Sequence, residues 1–87
     1  MSPEKKWITL KVKPAVEGAQ ILRLDEHLTY SLPAFVTHIR DGDVWQPVRD
    51  EEGNFEVRVM SARQQSLAEG IIKHNAFEVV SAEVHDE

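Results

Sequence analysis

The sequence predicts an α+β domain: a mostly antiparallel sheet of about four to five strands with one helix, at about residues 62–74, packed on one face. Three observations carry this expectation. Trp7–Lys13 alternates apolar and polar side chains with a period of two. Residues 55–84 read as strand, helix, strand between two copies of Phe-Glu-Val. Asp41-Gly42 separates two short extended runs. Eighty-seven residues make one domain, expected over 1–87 with 1–6 and 85–87 frayed.

Taken in order, Ile8, Leu10 and Val12 face one way in the first strand, and Trp7, Thr9, Lys11 and Lys13 the other; Pro14 ends it. Residues 14–20 read as a loop that turns at Gly18. Residues 21–28 fit two patterns. Ile21, Leu24 and Leu28 make a helical stripe; Leu22 and Leu24, opposite Arg23 and Asp25, make a strand. The reading leans to a strand for the first half, pairing back on Trp7–Lys13. Pro33 drives Leu32 into extended geometry. Ala34–Arg40 and Asp43–Val48 then form a hairpin whose Asp41-Gly42 turn supplies positive φ angles. Pro47 cannot donate to a ladder, so that strand is an edge or its pairing stops there.

Asp50–Asn54 is a second polar turn, leading to Phe55, Val57 and Val59 in alternation with Glu56 and Arg58. Ser61 and Gln64 have the spacing of a capping box. Leu67, Ala68, Ile71 and Ile72 form the apolar stripe of the helix, with Leu67 and Ile71 expected against Phe55 and Val57. Gly70 is unfavourable in mid-helix by about 1 kcal/mol relative to Ala, and its presence is read as permitting a close approach to the sheet. Asn75 is expected as a left-handed C-cap before the last strand, Ala76–Val84. The strands on either side of the helix are either parallel neighbours with a right-handed crossover, or have another strand between them.

The apolar fraction of 41% supports one modest core. The absence of cysteine excludes disulfides and thiolate metal sites and fits a cytoplasmic protein. No apolar run approaches the roughly 20 residues of a membrane span, and the N-terminus lacks the apolar segment of a secretion signal. The formal charge is −5. Residues 1–44 balance six Lys/Arg against six Asp/Glu, while residues 45–87 hold four against nine. That balance disfavours a phosphate backbone and favours a basic protein partner or plain solubility.

Chemistry-bearing motifs are absent. His27, His38, His74 and His85 have no metal-ligand spacing. Asp41-Gly42-Asp43 lacks the further ligands of a calcium loop. No nucleophile elbow or glycine-rich cradle surrounds the Ser and Thr residues. A non-enzymatic protein with no metal and no cofactor follows as the expectation. Trp7, Trp45, Arg58 and Met60 fall out of phase with the core pattern or on its polar side. Aromatics, Met and Arg are the residue types enriched at protein interfaces. These four are the candidate protein-binding residues, with Asp41, Asp43, Asp50, Glu51 and Glu52 as an acidic rim that meets a basic groove as phosphate mimics. The alternatives are a structural protein forming a homodimer or larger homo-oligomer by strand pairing at 43–48 or 76–84, and an accessory subunit of a multicomponent enzyme.

The Phe55-Glu56-Val57 strand, the short helix and Phe77-Glu78-Val79 resemble the C-terminal part of the small RNA polymerase inhibitors of T7-like phages, over residues 55–84. The resemblance transfers no functional residue. It implies a class: a small, cysteine-free, cytosolic phage protein that occludes a host protein or nucleoprotein complex, the class that also holds anti-CRISPR proteins.

Overall fold

Alternation in β1 (Lys6–Pro14) sets the layers of the fold. Ile8, Leu10 and Val12 are buried on one face with Val57, Val59, Leu24, Leu28, Ala68, Ile72 and Phe77, while Trp7 and Lys11 lie half-buried on the other. The computed structural model describes residues 6–86. The elements after β1 are α1 (Ile21–Ser31), β2 (Phe35–Val36), β3 (His38–Asp41), β4 (Val44–Pro47), β5 (Phe55–Val59), α2 (Ala62–His74) and β6 (Phe77–Asp86). The protein is α+β, with an antiparallel four-stranded sheet in the order β2-β5-β1-β6 and a separate β3–β4 hairpin.

β1 lies between β5 and β6, so the β5–α2–β6 unit skips a strand, as the second of the two sequence readings allowed. The β1–α1–β2 unit skips β5 in the same way. Two interlocked split βαβ units, the ferredoxin-like arrangement, therefore build the sheet, and the hairpin is inserted between β2 and β5. Both helices cover the Ile8/Leu10/Val12 face, because Leu24 and Leu28 of α1 and Ala68 and Ile72 of α2 belong to that core.

Residues 21–28 correct the reading that leaned to a strand and expected one helix. Both edges of β1 are occupied by β5 and β6, so no place remains for a segment pairing back on it. The helical stripe wins: Leu24 and Leu28 are buried and Leu22 is exposed. Asp25 Oδ1 then accepts the Val36 N–H at 3.0 Å, tying α1 to β2. Leu32 is extended before Pro33, as the steric rule requires.

Several local expectations shift by a residue. The hairpin loop is Gly42-Asp43, since Asp41 pairs with Val44; among these residues only Gly42 has positive φ, so the glycine occupies the first central position of the turn. β4 ends at Pro47, which lies on the outer edge of the hairpin; the Val48 N–H beyond it still bonds Thr37 O. Ser61 Oγ accepts from Gln64 N–H at 3.3 Å, and Gln64 Oε1 accepts from Met60 N–H at 3.3 Å, closing the capping box one residue early. Leu67 is 55% exposed: Ala68 and Ile72 carry the contact with the sheet instead. Gly70 is not a close-approach residue, because an added Cβ meets nothing within 4 Å.

The left-handed residue after α2 is Ala76 (φ 66°), not Asn75 (φ −93°). Asn75 acts through its side chain. Its Nδ2 donates to Ile71 O at 2.8 Å and lies 3.0 Å from His27 Nδ1, so the ring nitrogen is assigned as the acceptor. That contact pins the end of α2 to α1. At the termini, Lys6 pairs with Asp86 and Trp7 with His85, so the segments expected to fray are drawn into the sheet up to those residues. Residues 1–5 and 87 of those segments lie outside the described residues.

Candidate interaction face

The second face of the sheet carries no helix. From β2 to β6 it presents Phe35, Arg58, Thr9 and Glu83 in one row, with Trp7 and His85 in the next. Trp7 stacks on His85 at 5.2 Å between ring centroids with 17° between planes. The Arg58 guanidinium lies 4.9 Å from the Trp7 ring centroid, a cation–π contact. Trp7 thus contacts both a cation and an aromatic ring, with part of its surface exposed. Thr9, flanked across the sheet by Arg58 and Glu83, is only 7% exposed. The order of strands produces this cluster: β1 brings Trp7 next to β6, and β5 brings Arg58 from the other side.

Trp45 takes a different position. It sits on the β3–β4 hairpin, stacks on His38 at 5.5 Å with 29° between planes, and packs half-buried against the core. The hairpin is joined to the sheet edge by Thr37 N–H to Glu56 O and Val48 N–H to Thr37 O, both 2.8 Å, and by the Arg49–Phe55 bridge. Two buried side-chain donors, Trp45 Nε1 and Arg58 Nε, have no hydrogen-bond partner among the described residues. Met60 follows β5 and is 49% exposed. Of the four aromatic, Arg and Met candidates, the structure joins Trp7 and Arg58 in one contact.

The acidic residues separate into two kinds. Asp41 and Asp43 at the hairpin tip, and Glu51 and Glu52 in the second turn, are exposed. Asp50 organises its turn. Its Oδ1 accepts the N–H groups of Glu52 and Asn54, both at 2.9 Å, and its Oδ2 stands 3.2 Å from Lys11 Nζ. The side chain is 10% exposed, so Asp50 is withdrawn from the acidic rim for which it was a candidate. The Asn54 N–H bond, then the Lys11 ammonium and the Glu52 N–H, hold the Asp50 carboxyl below its ordinary value of 3.8 against the opposing effect of burial. The same hydrogen bond and charge raise Lys11 above 10.5.

His85 and His38 are the members that sequence reasoning passed over. Each acts as an aromatic plate beneath a tryptophan rather than as a ligand. Among the described residues, no group of three or more His, Cys, Asp and Glu stands together to hold a metal ion, and no helix is long and apolar enough to cross a membrane. Comparison with protein-family models, with curated proteins and with solved structures gives no match to this chain.

Proposed function

We propose that this protein is a non-enzymatic binding module that occludes a host protein or nucleoprotein complex through the helix-free face of its sheet. The observation that carries this reading is Trp7, in contact with both Arg58 and His85 on a face no helix covers. A partly exposed tryptophan already in contact with an arginine is the residue pairing that concentrates binding energy at interfaces, because less side-chain entropy remains to be lost. The unpartnered Arg58 Nε adds to it. A buried donor without an acceptor costs about 1–3 kcal/mol, which a small rotation onto a partner's acceptor recovers. The exposed Asp41, Asp43, Glu51 and Glu52, with the net charge of −5, favour a partner with a basic groove. A phage-encoded inhibitor of polymerase or anti-CRISPR type fits that description.

The test is a tagged pull-down from nuclease-treated bacterial lysate, washed at low and then high salt, with the wild type beside Trp7→Ala and Arg58→Glu. The reading expects one stoichiometric protein on the wild type and its loss from both variants while their circular dichroism stays native. A partner retained by both variants places the contact elsewhere. Recovery of the bait alone removes the reading for that lysate.

A further inference from the structure

The far edge of the sheet carries a second surface, distinct from the helix-free face. β6 is the outermost strand, ten residues long, and pairs only with β1. Edge strands are normally short, charged or covered. This one is covered only at its start, where Phe77 is buried and Val79 packs on the core. Beyond a register shift that leaves Val80 unpaired between Ser81–Lys11 and Val79–Val12, every residue from Val80 to Val84 is exposed. Ala82 and Val84 stand opposite Leu10 and Ile8, on the side of the sheet that bears the helices, yet α2 does not reach them, and Val84 is 61% exposed.

The sequence of this edge is complementary to itself. Antiparallel pairing of two β6 strands about Ala82 sets Ala82 against Ala82, Val80 against Val84, and Ser81 against Glu83. Apolar residues then meet apolar residues on the helix side, no like charges oppose each other between Val80 and Val84, and the like-charged positions Glu78 and Asp86 fall opposite each other only at the two ends. Moving the centre by one residue spoils this match. About Ser81, Val84 faces Glu78; about Glu83, two glutamates stand directly opposed. The bulge falls at Val80, the end of this stretch, so the regular ladder about the centre runs over Ser81, Ala82 and Glu83.

We infer that β6 is the docking edge for a second copy of this chain, joined about a two-fold axis through Ala82. The axis is perpendicular to the sheet, so the two four-stranded sheets continue as one. All helices fall on one side, and both Trp7–Arg58–His85 clusters fall on the other. The dimer presents two copies of the helix-free face in a single plane.

Sedimentation velocity of the full chain over a wide concentration range tests this. The expected result is an apparent mass rising from 9.9 kDa toward twice that value with concentration. Val84→Lys, which sets a charge against Val80 of the other copy, holds the protein at the monomer mass. Val16→Lys, an exposed loop position, leaves the association unchanged. Since the chain has no cysteine, Ala82→Cys and Glu78→Cys each introduce one thiol. With oxidised glutathione added as the oxidant, the register expects an inter-chain disulfide at position 82 and none at 78. A wild type that stays monomeric at every concentration, association untouched by Val84→Lys with native circular dichroism, or a cross-link at 78 instead of 82 overturns the proposal.

Discussion

Gly70→Ala is expected to stabilise the fold, and its size follows from the geometry of α2. Gly70 lies inside the helix Ala62–His74, exposed, with open space where a Cβ would stand. No packing term therefore enters, and the change reduces to helix propensity, about 0.8–1.0 kcal/mol in favour of Ala. In a domain of this size about 1 kcal/mol moves the melting midpoint by roughly 4–8 °C. The reverse exchange applies six residues later. Ala76 holds φ 66°, where a Cβ meets the following carbonyl and costs about 1–2 kcal/mol, a strain that glycine relieves. Some of that gain returns to the unfolded chain as entropy, leaving about 1 kcal/mol. The two sites are about 9 Å apart at helical rise and share no partner, so the double variant is expected to add to about 2 kcal/mol. Urea unfolding followed by circular dichroism reads this as a higher midpoint with an unchanged slope. A destabilised Gly70→Ala would mean that the helix lies against something at that position, and would refute the reasoning.

Three further outcomes follow from the same contacts. Leu28→Ala, in the buried stripe of α1, is expected to cost about 2–5 kcal/mol in chemical unfolding, and Leu22→Ala less than about 0.5 kcal/mol; the opposite order would restore the strand reading of this segment. Asp25→Ala leaves the Val36 N–H without its acceptor and is expected to cost about 1–3 kcal/mol by the same assay, where no change would show the bond to be dispensable. Asp50→Asn lowers stability in a pH-dependent way. The Asp50 carboxyl is depressed in the folded state, so its contribution is present above 3.8 and is lost as pH falls through the folded value; that of Lys11, raised, is lost as pH climbs past 10.5. Melting curves should therefore separate wild type from variant between those limits and converge in acid; a constant gap down to pH 2 would contradict the assignment.

The parts of the fold that were legible in the sequence are those where one local pattern has one solution. β1 and β5 show a period of two with the same residues inward as expected, β6 is extended as expected, and the Ser61–Gln64 cap starts α2 where its spacing says. Residues 21–28 were not legible, because Ile21, Leu22, Leu24 and Leu28 satisfy both periods; what decides between them is that both edges of β1 are taken, a fact of the whole sheet. The misplaced Leu67 has a similar cause. A stripe of four apolar positions is wider than the contact a single helix makes here, and only tertiary packing picks Ala68 and Ile72 from it.

The candidate face was half legible. Trp7 and Arg58 each stood out by phase, but their contact depends on β1 lying beside β5. His85 carries no sequence signal at all. It joins Trp7 only because the two ends of the chain pair. Asp50 read as one more acidic turn residue until its oxygens were seen to be occupied by Glu52, Asn54 and Lys11. Composition cannot distinguish a carboxylate that folds its own loop from one that waits for a partner.

Titrating the captured partner into isotope-labelled protein and following amide and indole resonances is the measurement that bears most directly on the helix-free face. Binding through that face shifts or broadens Trp7, Thr9, Arg58 and His85 and leaves the exposed residues of α1, such as Leu22 and Tyr30, in place. A footprint confined to the helices, with the Trp7 indole signal unmoved at saturation, would contradict the account.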